Sequence, residues 1–207
     1  MFKRIDKKIQ MNKGMSYVEL IVVLSIFSVL SSIAIFNYGT FQDKVDIKNL
    51  ASDVALKIVE AQRSSLSGLF PPLAQPQNPA TWKPSYGIYF DMSENNNNSF
   101  IYFTDLDYST PPQNGFFDDS DCVGECLDKI VITKGNSIFG LDVFYKGGAT
   151  DSLSDLTITF SRPNSGAIIS SSGISDPSVS YVQITVVSPS ESKALIKVYP
   201  SGRVQIN

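Results

Sequence analysis

Residues 15–38, MSYVELIVVLSIFSVLSSIAIFNY, are almost all apolar or small, and Glu19 is the one carboxylate among them. At roughly 1.5 Å per residue a helix of this length spans about 36 Å, enough to cross a hydrocarbon core of about 30 Å. The pattern then changes. Between positions 41 and 66, Ile47, Leu50, Ala51, Val54, Ile58 and Ala61 recur at three- and four-residue steps. Asp46, Lys48, Asp53, Lys57, Glu60 and Arg63 mostly fall between them. That spacing marks an amphipathic helix with one buried stripe. No proline lies between positions 15 and 69. The two stretches therefore read as one long helix, apolar all round in its first half and one-sided in its second. Gly39 is its internal weak point and Ser67–Gly68 its end.

Past the helix the alternation changes period. Positions 70–84, FPPLAQPQNPATWKP, carry five prolines and form a loop. Short runs rich in Tyr, Phe, Ile, Val and Thr follow: YGIYF (86–90), SFIYFT (99–104), KIVIT (129–133), LDVFY (141–145), LTITF (156–160), VSYVQITVV (179–187), ALIKVY (194–199) and RVQI (203–206). Their composition suits strands. Asn95–Asn98 reads as a hairpin loop, and Pro200-Ser201-Gly202 as the turn between the last two strands. Strands separated by turn residues, without intervening helices, point to antiparallel sheet. The expected fold class is α+β: a long N-terminal helix, transmembrane then amphipathic, packed on a C-terminal antiparallel sheet domain.

Charge sharpens this picture. Residues 1–14 carry Lys3, Arg4, Lys7, Lys8 and Lys13 against Asp6, a net of +4. The remainder holds 12 basic and 19 acidic side chains, a net of −7. With the basic residues all before the apolar run, the positive-inside rule places the first 14 residues in the cytoplasm and the acidic body outside. The expected localisation is thus a single-pass cytoplasmic-membrane protein with an extracytoplasmic C-terminal domain. An acidic body without clustered Lys and Arg argues against a nucleic-acid partner. The chain has no histidine. That removes Ser-His-Asp and Cys-His nucleophiles, His-containing zinc sites and the usual general base near neutral pH. The sequence points away from an enzyme.

Glu19 is the costly residue of the run. A charge at the centre of a membrane helix costs roughly 2.5–3.5 kcal/mol even on a lenient insertion scale. The stretch KGMSYVELIVVL around it (13–24) resembles the class III signal, with its N-terminal methylation motif, of type IV prepilins and type II secretion pseudopilins. In that pattern a short basic leader ends in Gly, the chain is cut, and Glu follows as the fifth mature residue before an apolar helix. The resemblance implies cleavage after Gly14, Met15 as the new N-terminus, and Glu19 as the assembly residue. Pairing of Glu19 with the new amine on a neighbouring subunit would offset the cost of the charge in low dielectric. Many pilins carry a proline at the twenty-second mature position; here that residue is Phe36. The stretch DVALKIVEAQRSSLSG (53–68) before YGIYF, and the closing IKVYPSGRVQIN (196–207), resemble H-type minor pseudopilins and FimT-like minor pilins.

The layout expected is then a leader peptide at 1–14, a transmembrane and filament-core helix at 15–38, its amphipathic half at 39–68, and an extracytoplasmic β-rich domain at 69–207. The resemblance implies a minor pilin or pseudopilin of a type IV pilus or type II secretion filament. Its partners would be a prepilin peptidase, sibling pilin or pseudopilin subunits, an inner-membrane assembly platform and membrane lipid. The alternatives are a monomeric membrane-anchored extracellular binding domain, and a secreted domain released near Ser32-Ile33-Ala34. A start at Met11 would leave the leader Met-Asn-Lys-Gly.

One loop holds the remaining candidate chemistry. In TDLDYSTPPQNGFFDDSDCVGEC (104–126), Asp118, Asp119, Asp121 and Glu125 concentrate oxygen ligands of the kind calcium takes. An EF-hand register fits at Asp119, Asp121 and Gly124 but meets Val123 and Ile130 at positions that need oxygen. The bland reading is a solvated acidic loop. Cys122 and Cys126 lie four apart in the same loop and suit a disulfide in an exported domain.

Overall fold

The computed structural model describes residues 14–71, 84–93, 96–106, 115–118, 122, 124–174 and 178–207. The side chains of residues 34, 36, 37 and 40 lie outside what the structure describes, and Phe36 is among them. The chain divides into two compact units, Met1–Phe41 and Gln42–Asn207.

One helix, α1 (Tyr17–Ser67), runs through the N-terminal part of the chain. Among the described residues ten strands follow: β1 (Ser85–Asp91), β2 (Ser99–Asp105), β3 (Cys126–Val131), β4 (Ser137–Tyr145), β5 (Thr150–Leu153), β6 (Asp155–Phe160), β7 (Ala167–Ser170), β8 (Val179–Val187), β9 (Lys193–Val198) and β10 (Val204–Ile206). They form two five-stranded antiparallel sheets, ordered β3-β2-β1-β6-β7 and β10-β9-β8-β4-β5.

Two expectations need correction. The fold is not a long transmembrane-then-amphipathic helix laid on one sheet; it is β-rich, with ten strands in two sheets. And among the described residues no helix is long and apolar enough to cross a membrane, so the single-pass localisation is withdrawn. Side chains along α1 are described continuously only over 17–33 and 41–67. The first stretch contains Glu19. The second is one-sided.

The core explains the sheet pairing. From the first sheet, Tyr86, Ile88, Phe90, Phe100, Tyr102, Leu156, Ile158 and Phe160 point inward. From the second come Leu141, Val143, Val182, Ile184, Val186, Ile196 and Val198. The register places Ile88 opposite both Tyr102 and Ile158, and Ile184 opposite both Leu141 and Ile196. Because side chains alternate along a strand, this register sends every second residue into one cluster. The same cluster takes Ile47, Ala51, Val54, Ala55, Ile58 and Ala61 from the second half of α1.

The first sheet is covered on its other face as well. Phe103, Thr157 and Thr159 point away from the helix yet are buried. Phe117, from the acidic loop, packs on Tyr89 and Phe103, with ring centroids 5.2 and 5.4 Å apart. Gly87 lies directly opposite Phe103. A Cβ there would sit 2.6 Å from the Phe103 ring and 2.8 Å from the Ile158 carbonyl, so only glycine lets the ring lie flat on the strand.

Candidate functional site

Gly14, Met15 and Ser16 precede α1 and are exposed. The first helical hydrogen bond runs from the Leu20 N–H to the Ser16 carbonyl, at 3.1 Å, which makes Ser16 the N-cap. Glu19 then stands at the third helical position. Ser at the N-cap followed three residues later by Glu is the capping-box spacing. A carboxylate in the first turn is also favoured by the helix dipole, by roughly 0.3–1 kcal/mol. The sequence reading did not weigh this placement of Glu19, although the Ser-x-x-Glu spacing was visible.

From there the apolar side chains lie open. Leu20 is 46% exposed, Phe27 66%, and Ile35 73%. Val18, Ile21, Val22, Val23, Leu24, Ile26, Val29, Leu30 and Ile33 are exposed too. Scattered exposed leucines are ordinary, but a contiguous apolar surface on every side of a helix marks an interaction site.

The second half of α1 is fixed at its C-terminal end by three polar contacts, and a fourth joins β7 to the β9–β10 turn beside it. The Tyr86 hydroxyl donates to the Leu69 carbonyl at 2.6 Å, and the Tyr102 hydroxyl donates to Ser64 Oγ at 3.1 Å. Gln62 Nε2 donates to the Ser165 carbonyl at 2.7 Å, and the Pro200 carbonyl takes the Ala167 N–H at 3.0 Å. Burial pushes the Tyr86 phenol up to about 12 and raises that of Tyr102. Gly68, with φ of +65°, terminates the helix in a conformation that favours glycine. Nearer the middle, Lys134 donates to Asp46 at 2.8 Å and holds that carboxyl below its usual value.

The acidic loop has a structural task. Glu125 is buried, and its two oxygens accept the backbone N–H groups of Leu106 and Asp118, at 2.9 and 3.2 Å. Asp105, fully buried, accepts the Gly115 N–H at 2.9 Å, and Thr159 Oγ1 donates to the Gly115 carbonyl at 2.6 Å. These bonds bind the loop to the outer face of the first sheet. Of the calcium candidates, Asp118 and Glu125 are described, while Asp119 and Asp121 lie outside the described residues. Among the described residues no group of three or more His, Cys, Asp or Glu side chains is placed to hold a metal. Cys122 and Cys126 are joined by a disulfide, with Cα atoms 4.6 Å apart.

Comparison with protein families, with characterised proteins and with solved structures finds no match.

Proposed function

We propose that the chain is a prepilin-like structural subunit, a minor pilin or pseudopilin, cut after Gly14 and assembled into a filament by helix–helix packing. The observation that carries this reading is the apolar surface of α1 from Val18 to Ile35, exposed on all sides behind a single carboxylate. Gly14 is exposed, and no described atom lies within 4 Å of where a side chain on it would project. The cut would release an amine at Met15, close in sequence to Glu19. In a bundle of such helices, the Glu19 carboxylate of one copy would pair with the amine of another. That interaction strengthens as packing excludes water.

Glu19 has two candidate roles, and one substitution separates them. Glu19→Gln preserves the capping-box hydrogen-bonding capacity and removes the charge. The expected outcome is unchanged helix content and processing, with the subunit lost from sheared, pelleted filaments containing wild-type siblings. Incorporation at the wild-type level would mean that Glu19 only caps its helix. Gly14→Leu is the companion test. It should leave the precursor uncut by intact mass, and normal processing would remove the prepilin reading.

A further inference from the structure

The strand β10 forms one edge of the second sheet. It bonds to β9 through alternate residues: Tyr199 N–H to the Arg203 carbonyl at 3.0 Å, and Leu195 to Asn207 in both directions at 2.9 and 3.1 Å. In an antiparallel pair the residues between these turn their backbone groups the other way. Val204 and Ile206 therefore present N–H and C=O groups on the side of β10 that no strand occupies. Beside this edge, a groove of about 660 Å³ runs between α1 and β9–β10. Ile47, Ala194 and Ile206 give it an apolar floor, and Lys44, Lys48 and Lys193 line it with positive charge. No Asp or Glu side chain is among the described lining residues. Asp46, between the two helical lysines in sequence, is taken by Lys134. None of the three lining lysines has an ion-pair partner among the described residues.

We infer that this groove receives an extended acidic peptide segment of a partner protein, which adds as a strand to β10. Main-chain bonds to Val204 and Ile206 set its register, and its groove-facing side chains, every second residue, are apolar where they meet the floor and carboxylate where they meet Lys44 and Lys48. The occupant is acidic because Lys44 and Lys48 line the groove while no Asp or Glu side chain among the described lining residues does; Lys193 already lies over the Phe139 ring, 3.8 Å from its centroid. The chain's own Lys- and Arg-rich residues 1–14 have the wrong charge for it. Three residues of edge provide few main-chain bonds, so the lysines must contribute much of the affinity. Binding should then weaken as salt rises. The inference is independent of the filament reading, since every group involved lies within residues 42–207.

The test uses the full chain and a labelled peptide with glutamate and valine taking turns at every second position and serine between them (lysine replacing glutamate in the lysine–valine control), followed by fluorescence anisotropy. Saturable binding is expected, with affinity lowered at least about tenfold by Ile206→Pro and by Lys44→Glu combined with Lys48→Glu. Proline at 206 removes an N–H that β9 does not use, so the sheet should persist, as circular dichroism would show. Should that variant unfold, a peptide N-methylated along one edge replaces it and should bind the wild-type chain at least about tenfold more weakly. A lysine–valine peptide should not bind. Three results would each overturn the inference: no saturable binding up to about 1 mM, equal binding of the lysine–valine peptide, or undiminished affinity when the edge is blocked on either side.

Discussion

The two halves of α1 are built from similar apolar residues and have opposite fates. Ile26 is 55% exposed, whereas Ile58 is fully buried. In the second half one stripe is apolar, and two sheets of the same chain supply what covers it. In the first half the apolar residues go all the way round, and no neighbour within one chain could cover every side. The one-sided helix completes its packing within the chain; the proposed assembly is what would cover the other half.

The largest effect should come from truncating the same residue type on each side of this divide. Ile58→Ala is expected to destabilise the chain by about 2–5 kcal/mol, through lost burial and the cavity left behind. Ile26→Ala should change stability by no more than about 0.5 kcal/mol. Urea unfolding of both variants checks this. Comparable losses would mean that the first half is also packed within the monomer.

Next comes the polar attachment of the helix end. Tyr86→Phe keeps the ring in the core but deprives the Leu69 carbonyl of its donor. A loss of about 0.5–1.5 kcal/mol at neutral pH is expected, read as a fall in Tm. The same phenol gives a pH dependence. Burial favours its neutral form, so the folded state holds the proton more tightly than the unfolded chain, where tyrosine titrates near 10. The stabilisation is complete below pH 10 and drains away as pH rises toward about 12. Tyr102, also raised, adds to it in the same direction. Thermal melts from pH 8 to 12 should steepen in their decline above pH 10, less so in Tyr86→Phe. An identical decline in both would assign the alkaline sensitivity elsewhere.

A small effect on folding is also expected at Glu19. Glu19→Gln should shift stability by no more than about 1 kcal/mol, the scale of a first-turn charge interaction. A larger loss on melting would show that Glu19 supports the fold of its own chain, and the contrast between the halves would blur.

Much of the second half was legible because its signals are periodic. The stripe Ile47, Ala51, Val54, Ile58 and Ala61 is buried, and Ser67–Gly68 ends the helix. Strands rich in aromatic and β-branched residues were visible for the same reason. The short strands β5, sequence TDSL, and β7, sequence AIIS, escaped. Four residues without sustained alternation give no period to read, and tertiary pairing alone makes them strands. The division into two sheets was equally hidden, since adjacent runs do not announce which partner each will take. The reading of 15–38 as a membrane span does not stand, because among the described residues no helix is long and apolar enough to cross a membrane. At the candidate site, Gly14, Met15 and Glu19 stood out by motif. The burial of Asp105 and Glu125 did not, because an acidic loop reads as solvated until the backbone N–H groups it accepts are in place.

The central claim is that the exposed half of α1 becomes the N-terminus of an assembling subunit. Its most direct test is the intact mass of the protein recovered from the cells that make it. The account expects a chain beginning at Met15, cut after Gly14. A chain that retains Gly14, or one that begins after Ala34, would contradict it.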